Sequence, residues 1–200
     1  KAFESQPSFL DDILSGSEAY AKELGDRLKD RIFEEIFPIY AEGFIAHIRE
    51  RAGKRAELSQ SVLDQVFQGT LTILYRLLFV LYAESRDLLP VKEFHGYGKK
   101  SLKLVKEEIA GKAGELEERR DQCLNKVYSS KEYSLYRRLM ELYAVVDKGD
   151  SALNVPMYNG GLFMTEPLED DQTFEAENAR FLRDYVIPDR WLARGLDRLA

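Results

Sequence analysis

"LTILYRLLFVLYA", Leu71 to Ala83, is the stretch on which the fold turns. It is apolar enough for a membrane or for the heart of a helical bundle. A bilayer span needs about 20 mainly apolar residues and tolerates a central charge poorly. This run is shorter and carries Arg76 at its middle. It therefore reads as a core helix, and no membrane partner is expected. Ser59 or Ser61 supplies its N-cap, and the helix is predicted to run to about Ser85. Its second half is apolar nearly all round, which predicts the central element of the fold.

Before it, apolar residues recur every fourth position: Tyr20, Leu24, Leu28, Ile32, Ile36, Tyr40, Phe44 and Ile48. A step of four drifts slowly round a helix, and Phe33, Phe37 and Ile45 widen the stripe. Ser17 is the expected cap of this long helix, after a lead-in over residues 1–16. Pro38 falls inside the pattern and predicts a kink or a split. Residues 49–55, "RERAGKR", read as a basic exit loop.

After the apolar helix, "LLPVKEFHGYGKK" (88–100) is a loop, broken by proline and glycine. Ser101 caps a third, highly charged helix running toward Val127, weakened in its middle by Gly111 and Gly114. A fourth is predicted from about Tyr133 to Asp147, ended by Gly149. Residues 177–185 read as helical. Asp189 is expected to cap a last helix carrying Trp191, Leu192 and Leu196. No alternating strand pattern or internal repeat is visible. The fold class is mainly α: a multi-helix bundle with a kinked long helix near the N-terminus and a buried central helix, over residues 17–200.

Composition narrows the function. The 200 residues are 44% hydrophobic and 32% charged, as in a globular protein. A net charge of −6 argues against a surface that binds nucleic acid by charge alone. One cysteine and two histidines cannot make a zinc site from nitrogen and sulfur ligands. The single cysteine and the absence of a signal peptide point to a reducing, cytoplasmic setting. Lys1, rather than Met, begins the sequence, and a piece of a longer protein is expected.

The chemical motifs mostly fail. A dimetal bundle needs Glu-x-x-His, but Phe44 precedes His47 by three and Lys92 precedes His95 by three. The acidic pairs Glu34-Glu35, Glu107-Glu108 and Glu117-Glu118 read as solvated helix faces. None of the 13 lysines has an acid two positions before it, so the Asp/Glu-x-Lys core of a restriction-type nuclease is missing. "FHGYG" (94–98) has the spacing of a methyltransferase cofactor loop, but no predicted strand feeds it. Basic residues cluster at Arg49, Arg51, Lys54 and Arg55, and at Lys99 and Lys100. They read either as solubility and helix-end charge or as contacts to a DNA backbone.

"VPMYNGGLF" (155–163) holds two adjacent glycines. Asn-Gly-Gly predicts a turn with positive φ, pinned by Tyr158 and Leu162-Phe163. No lysine follows to make a phosphate loop.

Four segments in order carry a resemblance: "LTILYRLLFVLYAESRDLLP" (71–90), "GYGKKSL" (96–102), "YNGGLF" (158–163) and "IPDRWLARGLDRLA" (187–200). Together they resemble the helical region ahead of the methyltransferase domain in type IIG-like single-chain restriction-modification enzymes, the N6-adenine DNA methylases. The resemblance implies a parent with a nuclease domain before this region and an S-adenosylmethionine domain after it, with magnesium also implied. It implies no cofactor and no catalytic residue in this chain, since no asparagine here precedes a proline. The expected role is a connector that sets nuclease and methyltransferase on DNA. The alternative is a helical interaction module that docks a basic partner on the acidic face of residues 166–177.

Overall fold

The computed structural model describes residues 23, 25, 27–53, 57–93, 96–158 and 160–199. The lead-in and the Ser17 cap lie outside them. Among the described residues the fold is a multi-helix bundle, mainly α, with a single isolated bridge, between Asp150 and Val155, as its β structure.

The long first helix does not split at Pro38. A wide π turn, Arg31–Ile36, runs directly into α1, Phe37–Ala52, which carries Pro38 in its first turn. Proline removes one N–H and crowds the carbonyl four residues back. The π turn absorbs this locally, with Phe37 N–H reaching Ile32 O. It also takes back part of the drift of a four-residue step, about 40° in an α-helix. Ile32, Ile36, Tyr40, Phe44 and Ile48 are all buried, while Leu28 is exposed. Residues 49–52, predicted as loop, are the last turn of α1.

The helix α2, Gln60–Ser85, is capped by Ser59, whose Oγ accepts from Val62 N–H. It is long and apolar enough to cross a membrane, by length and composition alone, and half of that apolar window is buried in the bundle. It is not the sequestered centre that its composition predicts: Leu63, Phe67, Tyr75 and Tyr82 are exposed along one edge.

The predicted third helix is two. α3, Leu102–Ala113, stops at Gly114, which takes φ +80°. After a 3-10 turn, α4 spans Arg120–Val127. Glycine adopts that left-handed backbone without the steric cost a Cβ brings. Next come α5, Ser134–Lys148, ended at Gly149, then α6, Phe174–Asp184, and α7, Asp189–Arg198.

The central helix is α7. It packs on α1, α3, α4, α5 and the π turn, and none of its residues is exposed. Close approach to α1 depends on Gly195: a Cβ there would lie 2.1 Å from Tyr40 Cε1. Asp189 does not cap its own helix. It is buried and caps α5, with Oδ1 accepting from Leu135 N–H at 2.8 Å and Oδ2 from Ser134 N–H and Oγ–H at 3.0 and 2.5 Å. Two helices adjacent in space but distant in sequence are thereby locked at one corner.

Candidate functional site

Three features carry the molecule's unusual polar chemistry. The first surrounds the paired glycines. Arg76 of α2 is 2% exposed. Its Nε donates to Leu162 O at 2.7 Å and its Nη2 to Met164 O at 2.9 Å. The guanidinium lies over the rings of Tyr143 and Phe163, 5.4 and 5.9 Å from their centroids. No carboxylate stands within ion-pair distance among the described residues, so carbonyl dipoles and aromatic faces compensate the charge.

The turn it holds differs from the expected one. Gly160 is extended (φ −138°) and Gly161 opens a 3-10 turn, Gly161–Phe163, and neither has positive φ. Asn159 lies outside the described residues. Gly161 serves close approach instead, since a Cβ would sit 2.6 Å from Glu175 Cγ. Tyr158 and Phe163 pin the turn as expected. Both pack edge-on to Phe79, and Tyr158 Oη donates to Leu88 O.

The second feature is a charged clasp around the end of α7. Arg120 binds Asp197 through Nε, at 2.7 Å, and through Nη2. Asp121 accepts from Arg194 at 2.9 Å and from both terminal nitrogens of Arg198 at 3.1 and 2.9 Å. Arg198 also reaches Glu35, on the π turn, at 3.7 Å. Burial raises the Asp121 carboxyl, but the bonds from Arg198 and Arg194 outweigh it and hold the group below its ordinary range. The clasp lines a cavity of about 560 Å³ with Glu115, Glu117 and Glu118 at its rim.

The third is the start of α3. Glu84, buried at the end of α2, accepts from Leu102 N–H, Lys103 N–H and Tyr97 Oη–H. Ser101 Oγ takes Leu104 N–H. The donors that make a helix N-terminus an anion or cofactor site are therefore occupied by the protein's own groups. Burial, and then the charge of Glu84, push the Tyr97 phenol well above its ordinary value. The described part of "FHGYG" is thus a structural turn, fed by no strand. Phe94 and His95 lie outside the described residues.

The predicted backbone contacts separate into two places. Arg49 and Arg51 are exposed on the last turn of α1, where Arg51 Nη1 donates to Asp184 O at 2.9 Å. Lys54 and Arg55 lie outside the described residues. Lys99 and Lys100 are exposed just before α3. Asp184 lines a cavity with Ser61, at the start of α2, whereas Leu102 is bonded to Glu84, at its end. The two basic pairs thus stand toward opposite ends of α2. They do not form one patch.

His47 donates to no acid. Its Nδ1 accepts from Val186 N–H at 3.2 Å, and its ring packs on Tyr133 and Tyr185. Among the described residues no three His, Cys, Asp or Glu side chains gather as a metal site. The acidic pairs at 34–35, 107–108 and 117–118 are exposed, as predicted. No family profile, curated protein or solved structure matches the chain.

Sequence reasoning missed the Asp121–Arg194–Arg198 and Arg120–Asp197 pairs. The four-residue spacing of Arg190, Arg194 and Arg198 was the available signal: it puts three cations on one stripe of a helix that also needs an apolar face.

Proposed function

We propose that this chain is a rigid helical connector within a larger DNA-modifying protein, holding flanking catalytic domains at a fixed distance and angle. One observation carries the reading. A single hydrophobic core reaches from Ile32 and Ile36, ahead of α1, to Leu192 and Leu196 in α7. The arginine clasp then closes on both ends of that path through Glu35 and Arg198. A continuous, densely packed core transmits displacement instead of absorbing it. Glu35 and Arg198 are thereby held side by side. The exposed pairs Arg49 with Arg51 and Lys99 with Lys100 support weak, salt-sensitive contact with a DNA backbone.

Energy transfer between reporter proteins fused to the two ends tests this. A single narrow distance, unchanged from low to high salt, is expected. A broad distribution overturns the reading. So does methylation or cleavage of DNA, or tight binding of S-adenosylmethionine, by the chain alone.

A second reading, an interaction module with an acidic docking face, is favoured by a specific feature. Arg180 Nη2 donates to the carbonyls of Leu168, Glu169 and Asp171. Asp171 Oδ1 accepts from Thr173 N–H, and Thr173 caps α6. The acidic segment is therefore a folded strap with its carboxylates turned outward. Electrophoretic retardation with a polylysine probe, lost on Glu169→Lys with Asp170→Lys, is the expected result; retardation that survives both changes removes this reading.

A further inference from the structure

The groove between α2 and α6 is a built feature that the connector does not use. Two neighbouring cavities share Gln68, Phe174 and Asn178 as walls. The inner one, of about 210 Å³, is floored by Arg76, Gly161 and Leu162. The outer one, of about 640 Å³, continues past Asp64 to Asp184. From Ser61 to Arg76 the groove follows α2 for about 22 Å.

Asn178 is the telling residue. It is 7% exposed as a residue, its carboxamide has no hydrogen bond to a described group, and that carboxamide reaches solvent at the cavity wall. With the groove empty, water serves its donor and acceptor. Asn178 lies on the wall of both cavities, where an incoming chain can pair with it. Gln68 beside it is also without a side-chain partner. A carboxamide presents a donor and an acceptor side by side, which matches the N–H and C=O of an extended peptide. Exposed rings flank the inner cavity: Tyr75 is 52% and Phe174 54% exposed. Gly161 keeps the floor open where a side chain would meet Glu175.

Charge selects among occupants. Glu175 and Glu177 line the groove with no cation partner, and Asp64 accepts only from Gln60. Asp184 is shared with Arg183. Arg180, which lines the outer cavity, is committed to the strap carbonyls and so draws the acidic segment 168–171 to its edge, while Arg51 approaches at the Asp184 end, where it donates to Asp184 O. A phosphate backbone is repelled here, and a basic chain is attracted.

We infer that this groove binds an extended basic peptide of about six residues, the length that 22 Å accommodates at about 3.3 Å per residue. One uncharged side chain enters the inner cavity, and lysine or arginine side chains lie along Asp64, Glu177 and the strap. This rests on the second reading above and narrows it from a face to a groove.

Fluorescence polarisation with labelled hexapeptide libraries tests it. One library fixes two lysines, one fixes two glutamates, and a thymidine oligonucleotide stands as the third probe. The lysine library alone is expected to bind, with about a tenfold loss on Asn178→Leu and a comparable loss on Tyr75→Ala. Tyr75 is surface-exposed, so that variant remains informative if Asn178→Leu fails to fold. Lysine-library binding that ignores both changes but is lost on Glu169→Lys with Asp170→Lys overturns the groove and leaves the acidic face. No binding, equal binding of the acidic library, or preference for the oligonucleotide overturns both.

Discussion

Replacing Arg76 by methionine separates the role of its charge from that of its stem. Methionine keeps most of the unbranched volume beneath Tyr143 and Phe163 and removes the guanidinium. The two bonds lost, at 2.7 Å to Leu162 O and 2.9 Å to Met164 O, are charge-assisted. Each contributes about 1.5–3 kcal/mol, and the stacking over two rings adds about 1 kcal/mol. Against this, the variant no longer desolvates a cation, which returns several kcal/mol. The carbonyls left behind are part-buried and partly regain water. The balance is a net loss of about 3 kcal/mol. It is read in two ways. Urea denaturation shifts its midpoint downward at unchanged slope. Amide exchange at residues 160–165 rises more than elsewhere, because the turn loses the two side-chain bonds that tie it to α2 among the described residues. Arg76→Lys keeps the charge without the fork and falls between the two. A methionine variant within about 0.5 kcal/mol of wild type, with the turn still protected, refutes the anchoring role.

Four further outcomes follow from the same structure. Gly195→Ala forces a methyl to within 2.1 Å of Tyr40 Cε1, deep in the core, and costs about 3 kcal/mol or prevents folding, as thermal melting will show. Gly161→Ala meets only the movable Glu175 side chain and costs under about 1 kcal/mol in the same assay. The Asp121 carboxyl is held below its unfolded value of 3.8, so it stabilises the fold above that pH and the contribution is lost as pH falls through the folded value. Wild type and Asp121→Asn therefore differ most above pH 3.8 and converge below it in acid titrations. His47 behaves in the opposite sense with respect to charge: burial, then Arg51, lower its pKa below 6.5. The unfolded chain binds the proton first, and stability declines as pH drops below 6.5; His47→Gln flattens that limb in urea titrations between neutral and mildly acid pH.

Much of the architecture was legible, and the misses have physical causes. Ser59 and Ser101 were readable as caps because a hydroxyl ahead of a helical pattern has few competing roles. The four-residue stripe through Ile32, Ile36, Tyr40, Phe44 and Ile48 was readable because burial imposes helical spacing. Pro38 was readable as a distortion of the long helix, but the form it takes, a local π turn and not a split, leaves no mark in composition. Asp189 misled because a cap can serve a neighbouring helix: proximity in the fold, to Ser134 and Leu135, is invisible in the sequence. The groove residue Asn178 carried no signal either, since one asparagine in an acidic helix looks solvated until its neighbours are placed.

The inversion between α2 and α7 has a common origin with the proposed role. Composition names α2 as the centre, because apolar residues are the usual currency of burial. Yet α2 leaves part of its apolar surface on an open edge, while α7, with three arginines and two aspartates, has its charged residues buried or half-buried. The charged helix can be drawn in because its long cationic stems pack as hydrocarbon. The heads of Arg194 and Arg198 meet Asp121 from α4 and Glu35 from the π turn, that of Arg190 meets Tyr128 O, and the helix's own Asp197 meets Arg120. Dispersion is less exacting about register than directional bonds, although the fit of Gly195 against Tyr40 already opposes sliding. Bidentate contacts between guanidinium and carboxylate are stricter: a one-residue slip breaks them all at once. Charge around α7 thus adds geometric definition to the packing, and a fixed angle between neighbours is what the connector role proposed above would require of it.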